Sequence, residues 1–140
     1  MSPLDLVLAQ QATERLILQC YRQVDLNDLP PIVKLFAPDG VWYRQGNVLK
    51  GHAEILEGLK RRAPRLKTVH VITNILFDSL TPDSASASYY ITVFRDDPDN
   101  PGTTSSPMDP FQVGTYTIKT KRIGDGWFIA EANNTVTFRR

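Results

Sequence analysis

The chain of 140 residues suits one domain with a single core, and its 41% hydrophobic and 22% charged residues are typical of globular proteins. Its 16 basic and 15 acidic side chains nearly cancel, so it lacks the basic field that attracts nucleic acid. A single cysteine, Cys20, excludes an internal disulfide, and two histidines are too few for an ordinary zinc site. We therefore expect a protein without a metal, a cofactor or a nucleic-acid partner.

The N-terminal segment predicts an amphipathic helix. Ser2, Pro3 and Asp5 are the residue types of an N-cap, a first-turn proline and a capping-box acid. Apolar residues then recur at helical spacing to about Leu26, with polar residues such as Arg15 between them. A signal peptide or a membrane span would lack these interruptions, so we expect a cytoplasmic protein that makes no membrane contact.

The next segments predict two more helices with a short strand between them. Asp28 can cap a short second helix whose two prolines fall in its first turn, where a missing N–H costs nothing. This helix is predicted to stop at the sequence APDG, residues 37–40, a good type I turn. Residues 41–44 then predict a short strand, and residues 51–62 predict the third helix.

The second half of the chain predicts long strands joined by short turns. The predicted strands are 67–80, 85–95, 111–123 and 127–138. Three helical segments followed by such a meander predict an α+β fold, in which a curved antiparallel sheet wraps around the helices. We find no linker or repeat, so residues 1–140 are interpreted as one domain.

Residues 96–110, DDPDNPGTTSSPMDP, predict a long irregular loop with four prolines. Loops of this length in a small domain are commonly lids, contact arms or disordered segments. The prolines, Gly102 and the polar run allow few apolar contacts, so we expect the loop to be mobile when the pocket is empty. It is then expected to close over the pocket or over a neighbouring subunit, which hydrogen exchange would measure.

A histidine, His70, lies at the centre of the apolar strand sequence TVHVITN. Strict alternation places His70, Ile72 and Asn74 on one face, and both faces of this strand are largely apolar. A covered polar side chain needs a partner. One interpretation is a core histidine that binds a backbone carbonyl, and the other is a functional histidine that faces a pocket together with Asn74.

Asp25 is the candidate partner of this histidine. It lies about 40° around the first helix from Tyr21, at the edge of the apolar face. A carboxylate there needs hydrogen bonds, and an imidazole is a natural donor. Alternatively, Asp25 only caps the helix end near Asn27. Glu14 is a weaker candidate on the same arc, and Cys20 is better explained as a small core residue.

Four segments together resemble the SnoaL-like family of the nuclear transport factor 2 (cystatin-like) fold. They are LQCYRQVDLNDL, VKLFAPDGVWYRQGNVLKGHAEI, VHVITN and GTYTIKTKRIGDGW. The resemblance covers about residues 12–127, and within the family it is similar to scytalone dehydratase and hexachlorocyclohexane dehydrochlorinase. It implies a cone-shaped barrel of a curved mixed, mostly antiparallel sheet wrapped around the N-terminal helices.

The resemblance also implies roles for individual residues. Asp25 and His70 match the family's pair, in which the histidine removes a proton from carbon or assists the loss of water and the aspartate orients it. Trp42 matches a tryptophan of the pocket wall, and Arg95 falls about where the dehydratase has a second catalytic histidine. Cys20 stands where the dehydrochlorinase has a lysine and a related bile-acid dehydratase has a tyrosine, so this chain departs from both.

The residue types support this chemistry independently of the family. An imidazole, with an ordinary pKa of about 6.5, is a base near neutral pH, and a carboxylate on its other nitrogen selects the tautomer. The sequence thus predicts a cofactor-independent, dehydratase-like lyase or isomerase for a hydrophobic, cyclic or aromatic hydroxylated compound. The predicted catalytic residues are Asp25 and His70, and the predicted substrate-binding residues are Tyr21, Phe36, Trp42, Asn74, Tyr89, Val93 and Arg95.

A second interpretation is a non-catalytic protein, because this fold also serves ligand-binding modules and small subunits of ring-hydroxylating dioxygenases. The presence of both Asp25 and His70 disfavours this alternative, since a structural subunit needs neither. In either case we expect a homo-oligomer, a trimer rather than a dimer, as in the relatives with this pair. The apolar outer face that needs a cover includes Ser86, Ser88, Tyr90, Thr92 and Phe94.

Overall fold

The structure is a computed structural model that describes residues 2–104 and 109–139. Its helices are α1 (Pro3–Asp25), α2 (Pro30–Val33) and α3 (Gly51–Lys60). Its strands are β1 (Phe36–Arg44), β2 (Asn47–Lys50), β3 (Lys67–Leu80), β4 (Ser84–Asp96), β5 (Gln112–Ile123) and β6 (Gly126–Arg139). The predicted α+β class is therefore confirmed, and β2 is a strand that the sequence did not predict.

Helix α1 begins where the sequence predicts. The Ser2 hydroxyl accepts a hydrogen bond from the backbone N–H of Asp5, and the Asp5 carboxylate accepts one from the N–H of Ser2, which completes the capping box. The apolar face of α1 packs on one side of the sheet and builds the core. Its buried residues are Ala9, Thr13, Leu16, Ile17, Cys20, Tyr21 and Val24. The described helices include none that is both long enough and apolar enough to span a membrane.

The strands form one mixed sheet in the order β2-β1-β6-β5-β4-β3. Strands β1 and β6 are parallel, and every other neighbouring pair is antiparallel. Within the described residues the sheet is open, with β2 and β3 at its edges, so the predicted barrel is not closed. Because β3 is an edge strand, one side of its backbone faces no other strand and is available to α1.

The predicted turn at residues 37–40 is wrong, because these residues lie inside β1. Phe36 pairs with Ile129 and Val41 pairs with Glu131, so β1 carries extra residues between these two pairs. Gly40 crosses close to β6 there, and a Cβ on it would lie 2.8 Å from the Ile129 carbonyl oxygen. The local turn pattern predicts that the strand begins only at Val41. Pairing with β6, which is distant in sequence, makes residues 36–40 part of the strand as well.

The predicted alternation along β3 is wrong beyond Thr73. The pairing with β4 skips a residue between Thr73 and Leu76, and Asn74 has a positive φ of 58°. Asparagine tolerates this left-handed conformation better than most residues, which suits it to a β-bulge. The bulge turns Ile75 and Phe77 toward the core and leaves Asn74 exposed.

The loop after β4 is partly ordered by short-range contacts. It contains a one-turn 3-10 helix, Pro101–Thr103, which the sequence did not predict. Asp97 is buried, and its carboxylate binds Arg95 at 3.1 Å. Residues 105–108 lie outside the described residues, so the mobility of the loop and its closure over the pocket remain predictions.

Candidate functional site

A cavity of about 640 Å³ lies between the end of α1 and the inner face of the sheet. Five of the residues predicted to form the site line it: Tyr21, Trp42, His70, Val93 and Arg95. They come from α1, β1, β3 and β4. The fold therefore brings together residues that are up to 74 positions apart, counted from Tyr21 to Arg95.

Asp25 and His70 are in direct contact beside this cavity. The Nδ1 atom of His70 lies 2.5 Å from Oδ1 of Asp25, and the backbone N–H of His70 donates to Oδ2 at 3.0 Å. The backbone bond is possible because β3 is the edge strand and α1 ends against it. Two bonds to one histidine hold the carboxylate in a single orientation. The geometric part of the predicted pair is thus present, and its catalytic role remains a prediction.

Other contacts of Asp25 continue the network. Thr68 donates its hydroxyl to Oδ1 of Asp25 at 2.8 Å, and the Arg62 guanidinium donates to the Thr68 hydroxyl at 2.8 Å. Burial acts to raise the pKa of Asp25, but the hydrogen bonds and charge of His70 outweigh it and hold this pKa below its ordinary value. Asp25 is therefore a carboxylate at neutral pH, and it accepts the Nδ1 proton of His70.

The second ring nitrogen of His70, Nε2, lies on the side of the ring away from Asp25. Among the described residues, Nε2 of His70 has no hydrogen-bond partner, and the residue lines the cavity. Tyr21 packs beside the imidazole with 5.1 Å between the ring centroids. With Nδ1 donating to Asp25, Nε2 presents its lone pair to the cavity, so it can accept a proton there.

The other histidine, His52, serves the fold instead. It lies in the first turn of α3, and its Nε2 atom is 2.8 Å from the carbonyl oxygen of Phe36. It is not among the residues that line the cavity. A histidine satisfied by a backbone carbonyl was one interpretation of His70, and the structure assigns that arrangement to His52.

Three predicted substrate-binding residues do not line the cavity. Phe36 stacks on the far side of Trp42, 5.2 Å between ring centroids, and Tyr89 lies behind Tyr116 with only 1% of its surface exposed. Asn74 is turned out to solvent by the bulge in β3. Phe36 and Tyr89 therefore support the wall from behind, and Asn74 is corrected to a bulge residue.

The cavity also has lining residues that the sequence patterns did not predict. They are Val24, Arg44, Gln45, Gly46, Arg62, Leu66, Thr68, Phe111, Gln112, Tyr116, Asn134, Val136 and Arg139. The sequence pattern could have predicted Arg44 as a cavity residue, because it lies two residues after Trp42 in the same strand. Residues two apart in a strand share a face. Arg62 carries no such signal, since it reaches Thr68 only after the α3–β3 connection has folded.

Two tyrosines keep their protons inside the site. Burial raises the pKa of Tyr21 well above its ordinary value, and burial likewise raises the pKa of Tyr116. Gln112 donates a hydrogen bond to the Tyr116 hydroxyl at 3.2 Å. Both phenols are therefore neutral near pH 7 and can donate a hydrogen bond, although the Tyr89 hydroxyl competes with a bound molecule for the proton of Tyr21.

The remaining candidates lie elsewhere. Glu14 borders an open groove on the other side of α1, where it accepts a hydrogen bond from Gln10 at 3.3 Å. Cys20 is buried in the core. Among the described residues, no three side chains of the His, Cys, Asp or Glu type group as metal ligands.

The thiol of Cys20 should be inert in the folded protein. Burial raises its pKa to about 12, so almost no thiolate forms near neutral pH. We expect no reaction with a disulfide reagent at pH 8 until urea unfolds the chain. A Gln19→Cys/Cys20→Ser variant, with the thiol moved to the exposed neighbouring position, should react at once. Rapid labelling of the native wild type would contradict this prediction.

The lowered pKa of Asp25 predicts a pH dependence of stability. The carboxylate is favoured in the folded state, so its contribution is complete above the unfolded pKa of about 3.9 and is lost as the pH falls through the lower folded value. Urea unfolding between pH 5 and pH 2 should therefore show a steeper fall for wild type than for Asp25→Asn. The exposed Asp28→Asn should keep the wild-type slope. Equal slopes for wild type and Asp25→Asn would refute the prediction.

Comparison with known proteins agrees with this architecture. A sequence model of the SnoaL-like domain matches residues 6–133. The chain belongs to the SnoaL-like domain family. The resemblance read from the four sequence segments is therefore confirmed. None of the curated proteins compared with this SnoaL-like protein matches it significantly in sequence.

Solved structures of relatives share the fold over nearly the whole chain. The type 3 hexachlorocyclohexane dehydrochlorinase from Novosphingobium barchaimii has a TM-score of 0.83 at 16% identity, covering 99% of this chain and 93% of that one. A proposed scytalone dehydratase from Novosphingobium aromaticivorans has a TM-score of 0.80 at 18% identity, covering 97% and 89%. A nuclear transport factor 2-like protein with a cystatin-like fold, also from Novosphingobium aromaticivorans, has a TM-score of 0.79 at 20% identity, covering 96% and 85%. The predicted cystatin-like fold is thus confirmed.

Proposed function

We propose that this SnoaL-like protein is a small lyase or isomerase that removes a proton from carbon with His70 as the general base. Its substrate is a cyclic or aromatic compound that carries a hydroxyl group. The observation that carries the proposal is the contact between His70 Nδ1 and Asp25 Oδ1 at 2.5 Å, which leaves Nε2 at the cavity. Asp25 acts through the histidine and is a positioning residue.

The position of Asp25 argues for this role over a structural one. A carboxylate in the last turn of α1 faces the negative end of the helix macrodipole, so helix stability does not favour it there. Its three hydrogen bonds go to Thr68 and His70 of β3. A carboxylate in this place stabilises the imidazolium that forms when Nε2 of His70 accepts a proton.

The proposed reaction needs no external reagent. The C–H bond breaks, its proton goes to Nε2 of His70, and the electron pair forms a carbon–carbon double bond as the neighbouring C–O bond breaks. The departing oxygen takes a proton back from the imidazolium and leaves as water, so His70 returns to its neutral form. In an isomerisation, the same proton is returned to another carbon. In this mechanism Tyr21 donates a hydrogen bond to a substrate oxygen, and its position on the cavity wall beside the imidazole supports that role.

The cavity supports a cyclic substrate. Its walls include the rings of Tyr21, Trp42, Phe111 and Tyr116, and its volume of about 640 Å³ leaves room for a bicyclic compound with its substituents. Aromatic walls hold planar molecules by stacking and by burial of apolar surface. Two of the structural relatives are described as a dehydratase and a dehydrochlorinase, and both of these activities are eliminations.

Proton abstraction can be tested without knowing the natural substrate. A panel of cyclic β-hydroxy ketones, each with and without a carboxylate substituent on the ring, is incubated with the protein in D₂O and followed by NMR for deuterium uptake at carbon and for loss of water. We expect at least one member to exchange or eliminate with wild type and not with His70→Ala. Compounds that bind to wild type without exchange or elimination would instead favour a binding module.

The outer face of the sheet supports a proposed homo-oligomer, a trimer rather than a dimer. Val69, Tyr90 and Phe138 are 57%, 49% and 69% exposed on neighbouring parts of this face, which is costly for an isolated subunit. Light scattering at micromolar concentration is expected to give three times the monomer mass, and Val69→Lys should lower it. A monomeric wild type would exclude the proposal.

A further inference from the structure

The cavity has a strongly cationic wall. Four of its described lining residues are arginines and none is a carboxylate. One of them, Arg95, is neutralised by Asp97, whose carboxylate lies 3.1 Å from its guanidinium. The other three, Arg44, Arg62 and Arg139, form no ion pair within the described part of the chain. The cavity therefore holds more positive than negative charge.

Two of these three guanidinium groups are occupied by neutral acceptors. Arg62 donates to the side-chain oxygen of Asn27 at 2.8 Å and to the Thr68 hydroxyl at 2.8 Å. Arg139 donates twice to the side-chain oxygen of Gln112, at 3.1 and 2.8 Å. These bonds go to neutral oxygens, so neither guanidinium forms an ion pair. The Asp25 carboxylate, on the other side of Thr68, offsets part of the charge of Arg62, whereas Arg139 has only neutral acceptors.

Arg44 differs from both, because the structure gives its guanidinium no acceptor among the described residues. The group lies 5.2 Å from the centre of the Trp42 ring, which contacts one of its faces. Burial lowers the pKa of Arg44 below its ordinary value, since a cation loses hydration there. Its hydrogen-bond donors border the cavity and lack a protein acceptor.

We propose that the cavity binds a cyclic compound that bears a carboxylate, and that Arg44 is the residue that binds this carboxylate. The proposal rests on the proposed function only for the fate of the ligand, because binding itself requires no turnover. A planar guanidinium matches a carboxylate with two parallel hydrogen bonds, and the anion offsets the desolvation of the cation. The proposal thus adds a carboxylate to the hydrophobic, hydroxylated substrate that the sequence predicts.

The carboxylate of the ligand also fixes the orientation of the ligand in the cavity. Arg44 is on β1 and His70 is on β3, which are separated in the sheet by β6, β5 and β4. A ligand anchored at Arg44 extends across the cavity toward the imidazole, with its ring against the aromatic wall. Arg44 is thereby a specificity-determining residue that selects acids over neutral analogues of the same shape.

A matched pair of probes tests the proposal by calorimetry. 1-Naphthoate and its neutral amide, 1-naphthamide, have nearly the same shape and differ in charge. We expect wild type to bind the acid about 10- to 100-fold more tightly than the amide, which is typical of a hydrogen-bonded charge. Arg44→Gln should remove this preference and leave the affinity for the amide unchanged. Arg44→Lys should retain part of it, because it keeps the charge without the two-pronged geometry.

The control is Arg61→Gln, which removes an exposed arginine just after α3 that does not line the cavity. It should bind both probes like wild type. Equal affinities of wild type for acid and amide, or an equal loss of both in Arg44→Gln, would overturn the proposal. Tighter binding of 1-naphthyl phosphate than of naphthoate would overturn the assignment to a carboxylate.

The two proposals fail separately. The probes are not substrates, so their binding is measured in the His70→Ala background as well as in wild type. Acid preference that persists there, with no deuterium exchange by wild type in the ketone panel, would retain the anion site and exclude the catalytic proposal. Deuterium exchange by wild type, together with equal affinities for acid and amide, would retain the catalytic proposal and exclude the anion site.

Discussion

Replacing His70 by alanine should lower kcat by at least about 10²- to 10⁴-fold, the usual contribution of a general base. The variant loses the only group of the Asp25–His70 pair that faces the cavity, so the substrate proton has no acceptor. Binding should change little, because the aromatic walls remain. The measurement is steady-state turnover of the compound that wild type converts, together with its dissociation constant.

The other histidine is the matched control for this result. His52→Gln changes a residue outside the cavity, whose ring binds the Phe36 carbonyl oxygen. Its turnover should remain within about twofold of wild type, since surface or peripheral changes seldom act on chemistry. Wild-type turnover in His70→Ala would remove His70 from the mechanism and return it to a structural role.

Asp25→Asn should lower kcat by about 10²- to 10⁴-fold with a smaller effect on ligand affinity. The amide has the size of the carboxylate but no charge to stabilise the imidazolium. It can also donate its own N–H to Nδ1 of His70, which would place the ring proton on Nε2, where it blocks proton acceptance. Turnover of Asp25→Asn close to wild type would break the proposed pairing.

A double variant separates this mechanism from simple loss of structure. Because Asp25 acts through His70, Asp25→Asn/His70→Ala should be no slower than His70→Ala alone. Independent defects would instead multiply. Asp28→Asn, which removes an exposed carboxylate three residues further along, should leave turnover unchanged. Circular dichroism confirms that each variant is folded before its rate is interpreted.

Thr68 and Arg62 hold Asp25 from behind, and this explains why Asp25 and His70 keep one relative geometry. Thr68 and His70 are two residues apart on β3, so they present donors to the same carboxylate. Arg62 holds the Thr68 hydroxyl from the other side. In the proposed mechanism, a carboxylate that is hydrogen-bonded through both oxygens needs little reorganisation when the imidazole of His70 becomes charged.

Local patterns in the sequence determined most of the secondary structure. The capping residues of α1 and its helical period depend on neighbours within four positions, and the alternation in β5 and β6 depends on neighbours two apart. The pairing of Asp25 with His70 was also predictable, because a carboxylate and an imidazole on apolar faces each need a partner. The family resemblance supplied the arrangement of these elements in space.

Only the tertiary structure decided the remaining features, because each depends on contacts between distant residues. The parallel pairing of β1 with β6 turned the predicted turn at 37–40 into strand, and the bulge at Asn74 reversed the alternation beyond Thr73. The charge of the cavity arises where Arg44, from a strand at one side of the sheet, converges with arginines from other elements. Spacing along a chain specifies which face a side chain occupies, whereas the order of the strands specifies which faces share a cavity.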